Sequence, residues 1–353
     1  MKILILTHDT DTNSGWGRYA SQLINGLKQK GFIITVLTEK FEGDSKTSIL
    51  GRGSKVFSSA FKVIPYAREA DIIHALDVYP YGIIAWIASK IAGRPLLINL
   101  LGTYAIAPFY HRKTRWLSKR ACLSASCLIA ISNYTKSEFN KILPSVEVEV
   151  INPGIDYGKQ HVDRSESGQP FILSVGALKK RKGYHIAISA FAVARRKFPE
   201  LKYKIIGSQK DIQYFNGLKE LTKKLSLENS IEFESNVSDD NLKELYSKAQ
   251  LFILPSINHD WHFEGFGIVF LEAAAAGLPI IGTTNNGISD AVKDGYNGIL
   301  VPQEDVEATA EAVIKILEST EYHNMTRNSY SWAQSHSIDK MIAEHIKIYE
   351  SIR

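Results

Sequence analysis

The sequence predicts an α/β protein of two doubly wound parallel-sheet domains, on three observations. The chain has 353 residues, more than a single hydrophobic core usually fills. Short apolar runs alternate with amphipathic stretches, the rhythm of parallel strands joined by crossover helices. That rhythm starts afresh after a polar segment carrying Gly and Pro, "DRSESGQP" at 163–170, which reads as a linker.

In the first half, strands are expected at "KILILT", "FIITVLT", "DIIHAL", "PLLINLL", "CLIAIS" and "VEVIN", with helices at 16–29, 80–92 and 113–125. The second half offers "FILSVG", "KYKIIG", "SIEFES", "LFILPS", "LPIIGTT" and "GILVP", with helices at 183–197, 211–225, 239–249, 267–276 and 304–318. Residues from about 321 to 353 read as helical, because "MIAEHIKIYESI" spaces its apolar residues for one buried face. The expected boundaries are 1–163, 164–330 and a last helical segment, 331–353, that crosses back to the first domain. Ligands of doubly wound sheets bind beyond the strand carboxyl ends, so a cleft lined by strand-to-helix loops is the expected site.

Bulk properties narrow the function classes. Hydrophobic content of 44% and charged content of 22% describe an ordinary soluble globular chain. The most apolar region, 81–110, is cut by Lys90, Arg94 and Pro95 and is no membrane span. "MKILILTHDT" holds only four consecutive apolar residues, too few for a signal-peptide core. Cys122 and Cys127 form no disulfide framework, so a cytoplasmic location is expected. The net charge of +5 weakly favours anionic partners. No known nucleic-acid module or dense basic patch is present, and no nucleic-acid partner is expected.

The most informative stretch is "HFEGFGIVFLEAAAAGLP", 262–279. Gly265 and Gly267 lead into a run that Leu271, Glu272 and Ala273 to Ala276 propagate as a helix. Glu264 then sits in the preceding loop and Glu272 in the second turn, while the first amides suit an anion or a sugar hydroxyl. An ionised carboxylate accepts through two oxygens, a match for neighbouring hydroxyls. A helix-dipole charge for Glu264 and a solvated position for Glu272 are the plainer alternatives. In "SVGALKKRKGYH", 174–185, Lys179, Lys180, Arg181 and Lys182 crowd a loop between Gly176 and Gly183. A diphosphate there gains a bidentate Arg partner and a Lys point charge; a solvated basic loop is the alternative.

Together these stretches resemble the retaining glycosyltransferases of family 4, over nearly the whole chain. "EGFGIVFLEAAAAGLPII" is similar to the family's signature of two Glu separated by seven residues, and "VGALKKRKG" to its diphosphate loop. "SNVSDDNLKELYSKAQLFILPS", "VINPGID" and "NNGISDAVKDGYNGILVP" resemble its flanking segments. The resemblance implies the GT-B fold, two Rossmann-like domains facing across a cleft. It implies Arg181 and Lys182 on the donor diphosphate, Gly176 in that loop, Glu272 on the ribose and Glu264 on the donor sugar. Backbone amides of Phe266, Gly267 and Ile268 add contacts. Catalysis without a bound divalent ion, and no cofactor besides the nucleotide-sugar donor, are also implied. Two positions depart from the family: Ala177 stands where Arg is frequent, and Leu101 precedes Gly102 where His is frequent.

"NSGWGRYA", 13–20, also fits a dinucleotide fingerprint through Gly15, Gly17 and Ala20, with Glu39 after the next strand. However, seven residues, His8 to Ser14, separate the strand from Gly15, whereas the fingerprint sets its first glycine almost on the strand end. "SGWGRYASQLINGL" is instead similar to the family's first loop, so Gly15 and Gly17 are expected to allow close approach on the acceptor side, with Arg18 toward an anionic acceptor. Thr103 and Tyr104 are the polar groups beside Leu101. His259, Asp260, His262 and Glu264 have no rigid ligand spacing, and no metal site is expected. "FYHRKTRWLSKR", 109–120, mixes Arg and Lys with Phe109, Tyr110 and Trp116; it reads as a solvated basic helix or as an interfacial one on anionic lipid.

The expected function is retaining transfer of a hexose from a nucleoside-diphosphate sugar to an acceptor hydroxyl of a glycan or glycolipid. "GWGRYA" and "GIVFLEA" look most like members using GDP-mannose; UDP-sugars are the alternative. A nicotinamide-dependent oxidoreductase, a sugar-nucleotide epimerase and a non-catalytic binding module are the rivals.

Overall fold

A computed structural model describes residues 1–352 except 13, 40–47 and 165–167. Asn13 of the opening motif and residues 165–167 of the expected linker thus lie outside the described residues. The chain divides into two compact units, Met1–Gly154 with Ile338–Arg353, and Ile155–Ser337.

The first unit is built on six parallel strands: β1 (Lys2–Thr7), β2 (Ile33–Thr38), β3 (Ile72–Ala75), β4 (Leu96–Leu100), β5 (Cys127–Ala130) and β6 (Glu149–Val150). Their order is β2-β1-β3-β4-β5-β6. The second unit repeats the plan with β7 (Phe171–Val175), β8 (Lys202–Ile206), β9 (Ile231–Glu234), β10 (Leu251–Ile253), β11 (Ile280–Thr283) and β12 (Gly298–Val301), ordered β12-β11-β10-β7-β8-β9. All twelve expected strands are present. Central strands β3, β4, β7 and β10 are buried along their whole length, as strands covered by helices on both faces must be. Edge strand β2 alternates exposed and half-buried residues before Leu37.

Helices depart from expectation in the tail and at Lys55–Glu69, Thr103–Tyr110 and Asn133–Ile142, the last three of which the sequence pattern does not mark. The segment Lys55–Glu69 is helical despite Pro65 in its interior; Val56, Ala60, Val63 and Ala67 are buried at a helical spacing. The tail is two helices, Tyr322–Ser335 and Ile338–Ser351. Between them Ser337 forms a parallel bridge with Ile155, and the Ile155 amide donates to the His336 carbonyl at 2.8 Å. A backbone committed to that pairing cannot also continue the helix. Tyr322–Ser335 belongs to the second unit and Ile338–Ser351 to the first, where it packs on helix Gly15–Gln29. At that contact a Cβ on Gly26 would lie about 2.5 Å from the Ile342 side chain.

Candidate active site

The second unit gathers charged groups at the carboxyl end of its sheet. After β7 the chain passes Gly176, whose carbonyl accepts from the Tyr184 hydroxyl at 2.6 Å, and turns through Lys180–Lys182 to Gly183. Gly183 has φ 72°, and a Cβ there would collide with the Pro255 carbonyl, so only glycine fits. The Ile257 amide donates to the Arg181 carbonyl at 2.8 Å. These contacts tie the basic loop to the segment after β10 and aim two of its four cations inward.

Both inward cations meet one carboxylate. Arg181 Nη1 donates to Glu264 Oε2 at 2.9 Å, and Lys182 Nζ donates to the same oxygen. Glu264 is buried, and Lys182 is nearly so. Burial raises the Glu264 pKa, but Lys182 and Arg181 outweigh it and hold the carboxyl at about 2. Burial also lowers the Lys182 pKa, partly offset by the Glu264 charge. Glu264 is therefore ionised at neutral pH and already accepts two cationic hydrogen bonds, which makes it an acceptor and a poor general acid.

The loop after β11 supports this carboxylate from behind. The Gly287 amide donates to the Glu264 carbonyl at 2.8 Å, and a Cβ at Gly287 would strike the Gly265 carbonyl. Asn286 braces the turn: its Nδ2 donates to Thr283 Oγ1 at 2.8 Å and its Oδ1 accepts from the Ile288 amide at 2.9 Å. The sequence reading assigned neither residue a role, although "NNG" is a turn signal.

Helix Ile268–Ala275 begins just past Glu264, after Gly267 at φ 83°. No side chain caps it. Among the described residues, no acceptor meets the amides of Gly267, Ile268 and Val269, so this end is open to an anion. Phe266 buries its side chain, leaving its backbone as the group available to a ligand. Glu272 is buried in the same helix, where the Tyr246 hydroxyl donates to its Oε2 at 3.3 Å. Its burial removes the solvated reading. Among the described residues, no three His, Cys, Asp or Glu are grouped to hold a metal ion.

The remaining candidates lie in the first unit. Gly15 has nothing within 4 Å of a Cβ position, whereas a Cβ on Gly17 would collide with the Asp11 carbonyl and the Asp9 carboxylate. The space Gly17 leaves on its Cβ side is thus occupied by the chain's own loop. Arg18 Nε donates to the Thr12 carbonyl at 3.2 Å. Glu39 Oε1 accepts from Arg52 at 2.8 Å, and its Oε2 is engaged by His8 and Tyr81. The pyrophosphate cradle and ribose acceptor of a dinucleotide site are both taken. Thr103 opens helix Thr103–Tyr110; Tyr104 is exposed and packs edge-on against Trp16, ring centroids 5.3 Å apart. Leu101 joins the hydrophobic core with Ile3, Ile5 and Leu97, so the position that departs from the family is an apolar packing residue.

Residues 13–159 match the family model described as Glycosyltransferase Family 4, and residues 159–332 the model described as Glycosyl transferases group 1. An uncharacterized glycosyltransferase of Methanocaldococcus jannaschii is 24% identical over 364 residues, covering 100% of this chain and 99% of its own. A GDP-mannose-dependent alpha-(1-6)-phosphatidylinositol monomannoside mannosyltransferase of Mycobacterium tuberculosis is 27% identical over 200 residues, 53% of this chain and 51% of its own. Among solved structures, Anabaena HepE in complex with UDP and glucose matches with a TM-score of 0.79 at 22% identity, covering 99% of this chain and 100% of that one. Sucrose-phosphate synthase from Thermosynechococcus elongatus matches with a TM-score of 0.81 at 18% identity, covering 99% and 98%. At such identities the likeness establishes the fold alone, which is GT-B. By fold and by both domain matches, the chain belongs to the glycosyltransferases that join a family 4 domain to a group 1 domain.

Proposed function

We propose that this glycosyltransferase is a retaining hexosyltransferase that takes GDP-mannose as donor and a hydroxyl of a glycan or glycolipid as acceptor. The observation that carries the reading is the convergence of Arg181 and Lys182 on Glu264, beside a helix end whose amides have no described acceptor. Departure of a nucleoside diphosphate builds negative charge on the leaving oxygen. Two fixed cations and helix-end amides stabilise that charge where it develops. This charge is met by side chains, so we assign no divalent ion to the reaction. Glu264, ionised and held by both cations, orients the sugar by accepting from its hydroxyls and forms no covalent bond. The acceptor hydroxyl then attacks on the face the diphosphate leaves, its proton passing to a departing phosphate oxygen. Glu272 is assigned to the ribose hydroxyls, and free Cys122 and Cys127 fit a cytoplasmic location.

GDP-mannose is supported by "GWGRYA" and "GIVFLEA" and by the mannosyltransferase relative. A UDP-hexose is the second reading, since the Anabaena fold relative is named with UDP and glucose. Thermal-shift titration with GDP, UDP, ADP and NAD separates them, because tight binding stabilises by mass action. GDP is expected to raise the melting temperature most; a shift with NAD alone overturns the reading. Turnover of GDP-mannose, with product anomeric configuration read by NMR, tests retention.

A further inference from the structure

Charge is divided unevenly between the units. Lys and Arg outnumber Asp and Glu by 22 to 14 in the first and are outnumbered by 20 to 23 in the second. The sixty residues from Val78 to Ser137 hold eight cations and no Asp or Glu. Exposed apolar side chains follow the same division. Of nine large hydrophobic residues exposed among those described, eight belong to the first unit, and Ile212 alone to the second.

Both features meet on helix Arg112–Ser124. Ser118, Ala121 and Cys122 face inward. At about 100° per residue, Arg112, Trp116, Lys119 and Leu123 fall within an arc of roughly 60° on the opposite face. Lys113 and Arg120 flank that ridge on one side and Arg115 on the other. Trp116 is 60% exposed and Leu123 49%. They line a shallow depression with Lys119 and Arg120, the Arg120 guanidinium standing 5.2 Å from the Trp116 ring. Among the described residues, none of the five cations on this helix has a carboxylate partner. Exposed Tyr110 stands just before the helix.

We propose that this helix face docks on an anionic lipid bilayer. Trp116 and Leu123 enter the headgroup layer, and Arg112, Lys113, Arg115, Lys119 and Arg120 pair with lipid phosphates. An aromatic ring suits the membrane interface, and a row of cations around an apolar ridge is the arrangement a charged bilayer attracts. Among the described residues, no helix is long and apolar enough to cross a membrane, so attachment is to one surface. Single-stranded nucleic acid also offers phosphates, but it calls for a groove with aromatic platforms for its bases. Here the depression offers one ring and one aliphatic side chain, and Arg120 lies over that ring. Resting on the proposed function, the inference narrows the acceptor to a lipid-linked one.

Co-sedimentation of the full chain with phosphatidylcholine vesicles, with and without roughly 30 mol% phosphatidylglycerol, tests the docking surface. No nucleotide sugar is present, so the outcome is separate from that of the donor titration. The chain is expected on anionic vesicles and not on neutral ones, with binding weakened by salt. Lys119→Gln with Arg120→Gln is expected to weaken binding about 25-fold, at about five-fold per cation. Trp116→Ala is expected to weaken it several-fold while leaving the salt dependence. The matched pair Lys223→Gln with Lys224→Gln, exposed on the second unit, is expected to change nothing. Equal binding to both vesicle types, no binding to either, no effect of the first-unit variants, or tighter binding to a single-stranded RNA oligomer overturns the proposal.

Discussion

In the first unit, Tyr19, His74, Asn99, His345 and Tyr349 form a buried network of neutral side chains that bond one another. Tyr349 OH donates to His74 Nδ1 at 2.8 Å, and His74 Nε2 donates to Asn99 Oδ1 at 2.6 Å. Asn99 Nδ2 donates to Tyr19 OH at 2.5 Å; that hydroxyl donates to His345 Nε2 at 3.3 Å, and His345 Nδ1 donates to the Met341 carbonyl at 2.8 Å. Burial lowers the pKa of His74 to about 3 and of His345 to about 4. The second unit, on the same sheet plan, holds a cluster of three charges instead, with Arg181 a third exposed. A closed neutral network fixes the last helix to the core and presents nothing for a ligand to displace. An ion cluster at a sheet's carboxyl end costs desolvation, and its opening to solvent through Arg181 is what an anionic substrate requires.

Substitutions on the two sides separate function from structure. Lys182→Ala is expected to lower transfer turnover about 10²–10³-fold, as loss of one transition-state donor does, and to lower the melting temperature, since buried Glu264 then keeps only Arg181. In steady-state kinetics, an unaltered turnover would remove Lys182 from the chemistry. Acid acts first on the opposite unit. The stability that neutral His74 and His345 contribute is full above pH 6.5 and is lost as pH falls through about 4 and 3. The Glu264 contribution is full above about 4.5 and is lost only toward pH 2. Hydrogen exchange at about pH 5 is therefore expected to expose Ile338–Ser351 while protection near Glu264 persists; the reverse order would break the contrast.

Asn99→Ala should cost about 1–3 kcal/mol by leaving buried partners unsatisfied, with the kcat of the folded enzyme preserved. Chemical denaturation beside an activity assay checks this. The smallest effect belongs to Gly15→Ala, where open space makes the change neutral or stabilising by up to about 1 kcal/mol. Gly183→Ala, against the Pro255 carbonyl, should instead lower the melting temperature clearly.

The strands were legible because central parallel strands, covered on both faces, read as apolar runs, as "LFI" in β10 does. Helix Lys55–Glu69 was hidden by Pro65, a residue that more often ends a helix than occupies one. The break at His336–Ser337 depends on a pairing with Ile155, a distant contact no local pattern encodes. Within the site, residue types and spacing marked Glu264 and the four cations at 179–182, and the family resemblance selected Arg181 and Lys182 among them. That both cations reach the same oxygen, and that Gly287 holds Glu264 from behind, arises from loops after three different strands. The close approach of the Asp9–Asp11 loop to Gly17 is likewise a contact no local pattern encodes.

Calorimetric titration of GDP, with UDP in parallel, into the intact protein and into Arg181→Gln with Lys182→Gln is the most direct measurement. One nucleotide per chain is expected, with affinity falling at least about 100-fold in the double variant, as loss of two charge-assisted contacts implies. Undiminished affinity in a double variant that remains folded would place the diphosphate elsewhere and contradict the site.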